Sequence, residues 1–304
     1  MDSLQKISVI NPVSEAIEKT RILLFKPFNL EKWFIIGFCA WLANMIREGV
    51  RGSINFKFPN SQETQEWAKV TEYVKENLLM VGIIAAIAVT TILAVVLVVL
   101  WLNSRGRFMF VDCLAKNKAQ VVEPWRTFRR QANSLFRFRL LLIVVSYGII
   151  TVFSLPIIFL ALAMRSDSIN FAVSIAAISG IVFIIIIIAL FFGLIKGLTL
   201  DFIVPTMYIR RINTLAAWKI FLAPLKTHFW KIILYFLFKF LILLSIGAIT
   251  FGILFVGCCC LCGVGILLFI PYIGTVILLP FACFTRLYTL CFLRQFGREY
   301  DVFV

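Results

Sequence analysis

The sequence predicts an all-α, polytopic membrane helical bundle: six transmembrane helices with amphipathic interfacial helices between them. Three observations carry this. Of 304 residues, 62% are hydrophobic and only 15% charged, whereas soluble domains run at roughly 45–50% apolar and 25% charged. Several apolar runs exceed the ~18 residues at which a run reads as a membrane-crossing helix. The net charge of +15 is gathered in the connectors between those runs, residues 103–139 carrying nine Arg or Lys against two acids. Segments with that much positive charge stay on the cytoplasmic side and set the orientation of their neighbours.

Each element follows from its own residues. Asn11 suits a cap and Pro12 a first helical position, while Val13, Ala16, Ile17, Thr20 and Leu24 share a stripe opposite Glu15, Glu18, Lys19 and Arg21. Residues 11–25 therefore read as a short helix lying in the interface. Span one, 30–46, is short, with Trp33 and Trp41 as interfacial anchors, and a re-entrant segment is the competing reading. Residues 47–77 balance five bases with five acids, which suits the outer side, and 62–77 reads as a surface helix. Span two is 78–102. Its helix continues through 108–116, because no proline interrupts it and only Gly106 weakens it.

A second interfacial helix is expected at 123–137, with Trp125, Phe128, Ala132, Leu135 and Phe136 on one face and Arg126, Arg130 and Arg137 on the other. Span three is 140–164, with a kink expected at Pro156, and span four is 171–195. The basic stretch 196–231 ends in a third amphipathic element built on Trp218, Phe221, Leu222, Leu225 and Phe229 and broken by Pro224. Spans five and six are 232–255 and 263–290. The segments 1–32, 103–139, 196–231 and 286–304 carry +1, +7, +5 and +1, and 47–77 and 165–170 are neutral. Six spans with both termini cytoplasmic is the parity that satisfies every connector.

Residues 1–304 form a single integral membrane domain, with repeat units at 11–118, 119–211 and 212–300. Ile17, Phe128 and Phe221 match, as do Phe25, Phe136 and Phe229 eight residues later. Arg107 and Asp112, Lys196 and Asp201, and Arg286 and Cys291 echo one another at a spacing of five. One hairpin cannot bury its own helix–helix face, whereas three packed hairpins can.

Residues 11–43 (NPVSEAIEKTRILLFKPFNLEKWFIIGFCAWLA), 104–140 (SRGRFMFVDCLAKNKAQVVEPWRTFRRQANSLFRFRL) and 292–303 (FLRQFGREYDVF) resemble a family of uncharacterised bacterial integral membrane proteins over essentially the whole chain. The helix–span–span unit is more loosely similar to the membrane domain found beside glycerophosphodiester phosphodiesterases. The resemblance implies a bacterial inner-membrane location and no mechanism. No phosphodiesterase catalytic domain is present, so that activity does not carry over.

The basic connectors point to anionic lipid of the inner leaflet, at about 1 kcal/mol per basic residue near the surface. Arg126, Arg129, Arg130, Arg137, Lys219 and Lys226 are the candidate headgroup contacts, with Trp125 and Phe128 inserting between acyl chains. Nucleic acid is not an expected partner, since no basic patch sits on a recognisable nucleic-acid fold. Asp112 and Asp201 form a candidate polar site, each an acid in an apolar stretch. Either they make a paired site for a cation, proton or headgroup, or they make ion pairs at headgroup depth with local bases such as Arg105 and Lys116; the second reading is preferred. Lys239 is expected to extend its amine to the inner headgroups.

Cys258, Cys259, Cys260 and Cys262 lack the separated pairs of a zinc site and read as small packing residues at an outer turn. Cys39, Cys113, Cys283 and Cys291 read as small hydrophobes. Close helix packing is expected to account for Gly247, Gly252, Gly257, Gly263, Gly265 and Gly274. His228 has no nucleophile or carboxylate at recognisable spacing. No nucleotide-binding, metalloprotease or hydrolase motif is present, and no cofactor or metal is expected. Scarcity of ionisable residues in the spans weighs against proton-coupled transport and intramembrane proteolysis. The expectation is a non-enzymatic inner-membrane protein that binds or organises lipid, or other membrane proteins, through its basic cytoplasmic face. The alternative is a transporter or channel for a small or lipid-like substrate entering between the hairpins.

Overall fold

A computed structural model of the chain describes residues 7–49, 75–165, 171–259 and 270–303. The expected outer connectors lie almost wholly outside the described residues, as do Cys260 and Cys262. All regular structure among the described residues is helical.

Helix α1 (Asn11–Phe25) is followed by α2 (Leu30–Gly49) and the long α3 (Leu78–Lys116). The short α4 (Val122–Thr127) leads into α5 (Arg129–Arg165). Helix α6 (Phe171–Leu198) runs through a π-helical turn, Thr199–Ile203, into α7 (Val204–Arg210). Then come α8 (Thr214–Thr227), α9 (Phe229–Cys259), α10 (Pro271–Ile277) and α11 (Leu279–Arg294), with a 3₁₀ turn at Arg298–Tyr300.

Among the described residues, four stretches are long and apolar enough to cross a membrane: Leu78–Lys116, Arg129–Leu160, Val173–Arg210 and Phe229–Gly257. Their apolar portions are hardly covered by protein, with Ile83, Val89, Phe159, Phe183, Leu190, Phe240 and Phe251 all exposed. A patch of that size is foreign to a soluble surface and is what hydrocarbon solvates.

Among the described residues no helix of this kind corresponds to the other two expected spans, and 263–269 of the sixth lie outside the described residues. Helix α2 lies antiparallel against the basic third of α3: Asn103 Nδ2 donates to the Leu42 and Ala43 carbonyls at 2.9 and 2.8 Å, and Lys32 Nζ donates to Asn117 Oδ1 at 2.9 Å. From Leu42 to its end α2 rises about 10 Å, while α3 reaches back from Asn103 to Leu78 over about 38 Å. Gly106 sets the closeness of this pair: a Cβ there would lie 2.5 Å from Leu42 Cβ and 2.7 Å from the Leu42 carbonyl carbon. The residue expected to weaken a helix is the one that lets two helices touch. The expected sixth span breaks at Leu278 into α10 and α11. Helix α10 crosses α2, with Trp33 Nε1 donating to the Val276 carbonyl at 2.9 Å.

Two expected interfacial helices are also revised. The 123–137 element is not separate, because the chain turns at Phe128 and α5 then runs unbroken through Arg165. No glycine or proline separates its basic start from its apolar body before Gly148. Helix α1 has the expected bounds but is docked on α11 through Ala16, Thr20, Leu23 and Leu24. Arg294 Nη2 donates to Glu15 Oε2 at 2.9 Å, and Tyr288 hydroxyl donates to the Val9 carbonyl at 3.1 Å.

The buried core gathers at the basic ends of the long helices. Phe108 stacks on Phe128 (5.8 Å between centroids), which stacks on Tyr208 (4.8 Å). Phe202 stacks on Phe221 at 5.0 Å, and Tyr235 and Phe292 complete that layer. Phe128 and Phe221 thus share an environment, while Ile17, aligned with them in sequence, is 55% exposed.

Candidate functional site

The basic end presents two features: a rim of exposed cations and a cleft with charges at its base. The six candidate headgroup contacts are all on the rim. Arg126 lies on α4, Arg129, Arg130 and Arg137 at the start of α5, and Lys219 and Lys226 on α8, each exposed. None forms an ion pair among the described residues. Their expected aromatic companions are placed otherwise. Phe128 is buried in the core, and Trp125 packs edge-on against Trp101 at 5.8 Å. Both indoles flank the Arg105 guanidinium, at 4.3 and 4.5 Å from its carbon, so Arg105 is held by rings rather than by Asp112. Exposed aromatics of this end include Phe229 and Trp230 at the foot of α9.

Asp112 and Asp201 share no partner, so the structure does not make them one paired site. Asp112 Oδ1 is 3.0 Å from Lys116 Nζ, one helical turn on, and accepts from the Tyr208 hydroxyl at 2.9 Å. This is the local ion pair expected for it. Asp201, on the π-helical turn, draws its partners from two distant helices. Lys239 Nζ of α9 donates to its Oδ2 at 2.6 Å, and Arg286 Nη1 of α11 lies 3.9 Å from its Oδ1. The Tyr235 hydroxyl donates to Asp201 Oδ2 at 3.3 Å and lies 2.8 Å from Thr289 Oγ1. Lys239 therefore turns inward to a carboxylate instead of extending to headgroups. Arg286 Nη1 also donates to the Leu200 carbonyl at 2.7 Å, while its Nη2 is buried with no hydrogen-bond partner.

Beside this cluster, Asn103 Oδ1 accepts from Arg139 Nη1 at 2.7 Å and Arg107 Nε at 3.2 Å. Arg107, Asp201, Lys239, Arg286 and Thr289 line a cavity of about 160 Å³. A second cavity of about 470 Å³ adjoins it, sharing Asn44, Leu243, Ala282 and Thr285, and continues along α9 past Thr250 to Leu254. Over that length α9 rises about 22 Å from Lys239.

Cys39, Cys113, Cys283 and Cys291 are buried free thiols, with Cys39 and Cys113 sulfurs 3.8 Å apart. His228 meets the Phe296 ring edge-on at 5.7 Å. Gly247 and Gly252 have open space where a Cβ would be, so protein packing does not account for them; it does for Gly37 and Gly106. Among the described residues, no group of three or more His, Cys, Asp or Glu is placed to hold a metal ion.

A family model matches residues 7–270 of the chain. The chain belongs to DUF7544, a family of unknown function. No curated protein and no solved structure shows a match to it. For this DUF7544 member the chemistry is therefore read from the residues themselves. What sequence reasoning missed is the Asp201–Lys239–Arg286 cluster. Lone charges in otherwise apolar stretches need counter-charges, and Lys239 and Arg286 both had Asp201 as a candidate.

Proposed function

We propose that this protein is a multi-pass bacterial inner-membrane protein, both termini cytoplasmic, that binds and organises anionic lipid through its basic end without catalysing a reaction. The observation that carries this is the rim: Arg126, Arg129, Arg130, Arg137, Lys219 and Lys226 are exposed and held by no ion pair among the described residues. Guanidinium groups match phosphate geometry with two parallel hydrogen bonds. Phe229 and Trp230 supply interfacial aromatics on the same end. The looser likeness to membrane domains beside phosphodiesterases brings no activity into this reading, and the three-unit repeat is retained only for α4–α5 and α8–α9, whose Phe128 and Phe221 seats correspond.

The test is lipid retention by the full chain purified from mixed vesicles of phosphatidylglycerol and phosphatidylcholine. Wild type is expected to keep the anionic lipid preferentially, and a variant with Arg126, Arg129, Arg130 and Arg137 all changed to Gln is expected to lose the preference. Equal retention of both lipids by wild type refutes the proposal. A second reading, carriage of a lipid-like substrate, is supported by the cleft between α2, α9 and α11, whose base holds charge and whose length is lined by apolar side chains interspersed with threonines.

A further inference from the structure

We infer that the cleft between α2, α9 and α11 is a binding site for a single amphiphile with an anionic, phosphate-class head and one apolar chain. This names the ligand of the second reading and rests on the cleft alone, not on the exposed rim.

The head site is built from Arg107, Lys239 and Arg286 around the single carboxylate Asp201 among the described residues lining the smaller cavity. The preference for an anion rests on Arg286, because charge withdrawn from water is stable only when paired and hydrogen-bonded. Arg286 is the decisive member. It is 11% exposed, its Nη1 is used by the Leu200 carbonyl, and its buried Nη2 has no hydrogen-bond partner. A buried guanidinium nitrogen left without an acceptor carries a desolvation cost that an incoming oxyanion removes. Thr285 and Thr289 border the same space with hydroxyls. A cavity of about 160 Å³ suits a head the size of phosphate and is too small for a chain.

The chain site is the adjoining cavity of about 470 Å³, where Leu243, Ile246, Phe251, Leu254, Leu278 and Phe281 form the apolar wall and Asn44, Thr250, Thr275 and Thr285 the polar one. Leu243 borders both cavities and marks the join of head and chain. The path follows α9 away from the charged base, so a head at Lys239 places its chain beside Leu243, Ile246 and Leu254 of that helix. Asp201, held by Lys239 and Tyr235, fixes the lysine ammonium, and discrimination against a head that carries its own cation comes from Arg286.

The experiment is a binding titration of the full chain in non-ionic detergent with three probes: lysophosphatidic acid, inorganic phosphate and lysophosphatidylcholine. Saturable binding of one lysophosphatidic acid per chain is expected, at least about tenfold tighter than either comparator, with Arg286→Gln weakening it about tenfold by loss of a charge-assisted hydrogen bond. Leu243→Trp, which fills the join without touching a charge, is expected to abolish binding and covers the case in which Arg286→Gln misfolds. Inorganic phosphate binding as tightly means a free-anion site and overturns the chain half. Lysophosphatidylcholine binding as tightly means a plain apolar groove and overturns the head half. If binding survives both Arg286→Gln and Leu243→Trp, or is lost instead in an Arg126→Gln, Arg130→Gln variant, the rim holds the probe and the cleft assignment falls. Binding without vesicle-to-vesicle transfer of the probe leaves this inference standing and removes only the carriage reading.

Discussion

Lys239 Nζ lies 2.6 Å from Asp201 Oδ2, joining α9 to the π-helical turn that follows α6. The two side chains are only 17% and 12% exposed. A lysine ten residues into an apolar helix is costly unless its charge is met, and here it is met by a carboxylate that the backbone of a different helix delivers. Two of the four long apolar stretches are thereby fixed to each other at one level, and Arg286 ties α11 to the same point.

Breaking that pair from its two sides is not equivalent. Asp201→Asn takes the shared carboxylate from both Lys239 and Arg286 and is expected to cost about 3 kcal/mol, whereas Lys239→Gln leaves Asp201 beside Arg286 and is expected to cost less. The double variant is expected to lose less than the sum of the two, by roughly 1 kcal/mol or more. Unfolding of the three variants in one detergent measures this. Strict additivity would mean that the contact carries no coupling.

Gly106 gives a second, steric prediction. A methyl there meets Leu42 Cβ at 2.5 Å and the Ala43 nitrogen at 2.8 Å, backbone that has nowhere to move without parting α2 from α3. Gly106→Ala is expected to destabilise by about 1–3 kcal/mol. Gly247→Ala, with nothing within 4 Å of its new methyl, is expected to stay within about 0.5 kcal/mol of the parent. Thermal unfolding of both decides it, and equal effects would remove Gly106 as the closest approach of the two helices.

These examples show which features a sequence exposes. The bounds of α1 were legible, since Asn11-Pro12 starts a helix and Lys26-Pro27 lies just beyond its end. So was the continuation of α3 to Lys116, because nothing local stops it. The exposure of Arg126, Arg130 and Arg137 was legible from their position opposite the apolar face. The fate of that apolar face was not: Phe128 satisfies the pattern equally in lipid or against Phe108 and Tyr208. Hydrocarbon and protein interior are both apolar, so amphipathicity does not separate them. Helix–helix contacts between α2 and α3, or between α9 and the turn at Asp201, depend on tertiary register, which local periodicity does not encode.

Cys291 gives a prediction with a defined pH window. Burial, and secondly the Glu15 carboxylate, push its thiol up from the ordinary 9.0 to about 12, against the opposing pull of Lys19 and Arg294. Below pH 9 folded and unfolded chains both keep this proton. Between pH 9 and about 12 only the unfolded chain releases it, so the stability present below 9 is lost as pH rises through that window. Alkylation of folded protein at pH 8, followed by peptide mass spectrometry, is expected to modify Cys291 at less than about a tenth of its unfolded rate. Modification at the unfolded rate would show that the thiol is neither buried nor shifted.

Orientation is the remaining prediction, and it rests on charge. Residues 103–139 carry nine bases against two acids, and 47–77 carry five of each. Moving the first segment across a bilayer is far costlier than moving the second, since a single Arg or Lys at mid-membrane costs roughly 2.5–3.5 kcal/mol. A reporter that is active only in the cytoplasm is therefore expected to work when fused after Lys118 and to fail when fused after Ser61. Activity at both positions would overturn the single continuous crossing assigned to α3, and activity only after Ser61 would invert the whole bundle, taking the inner-leaflet lipid proposal with it.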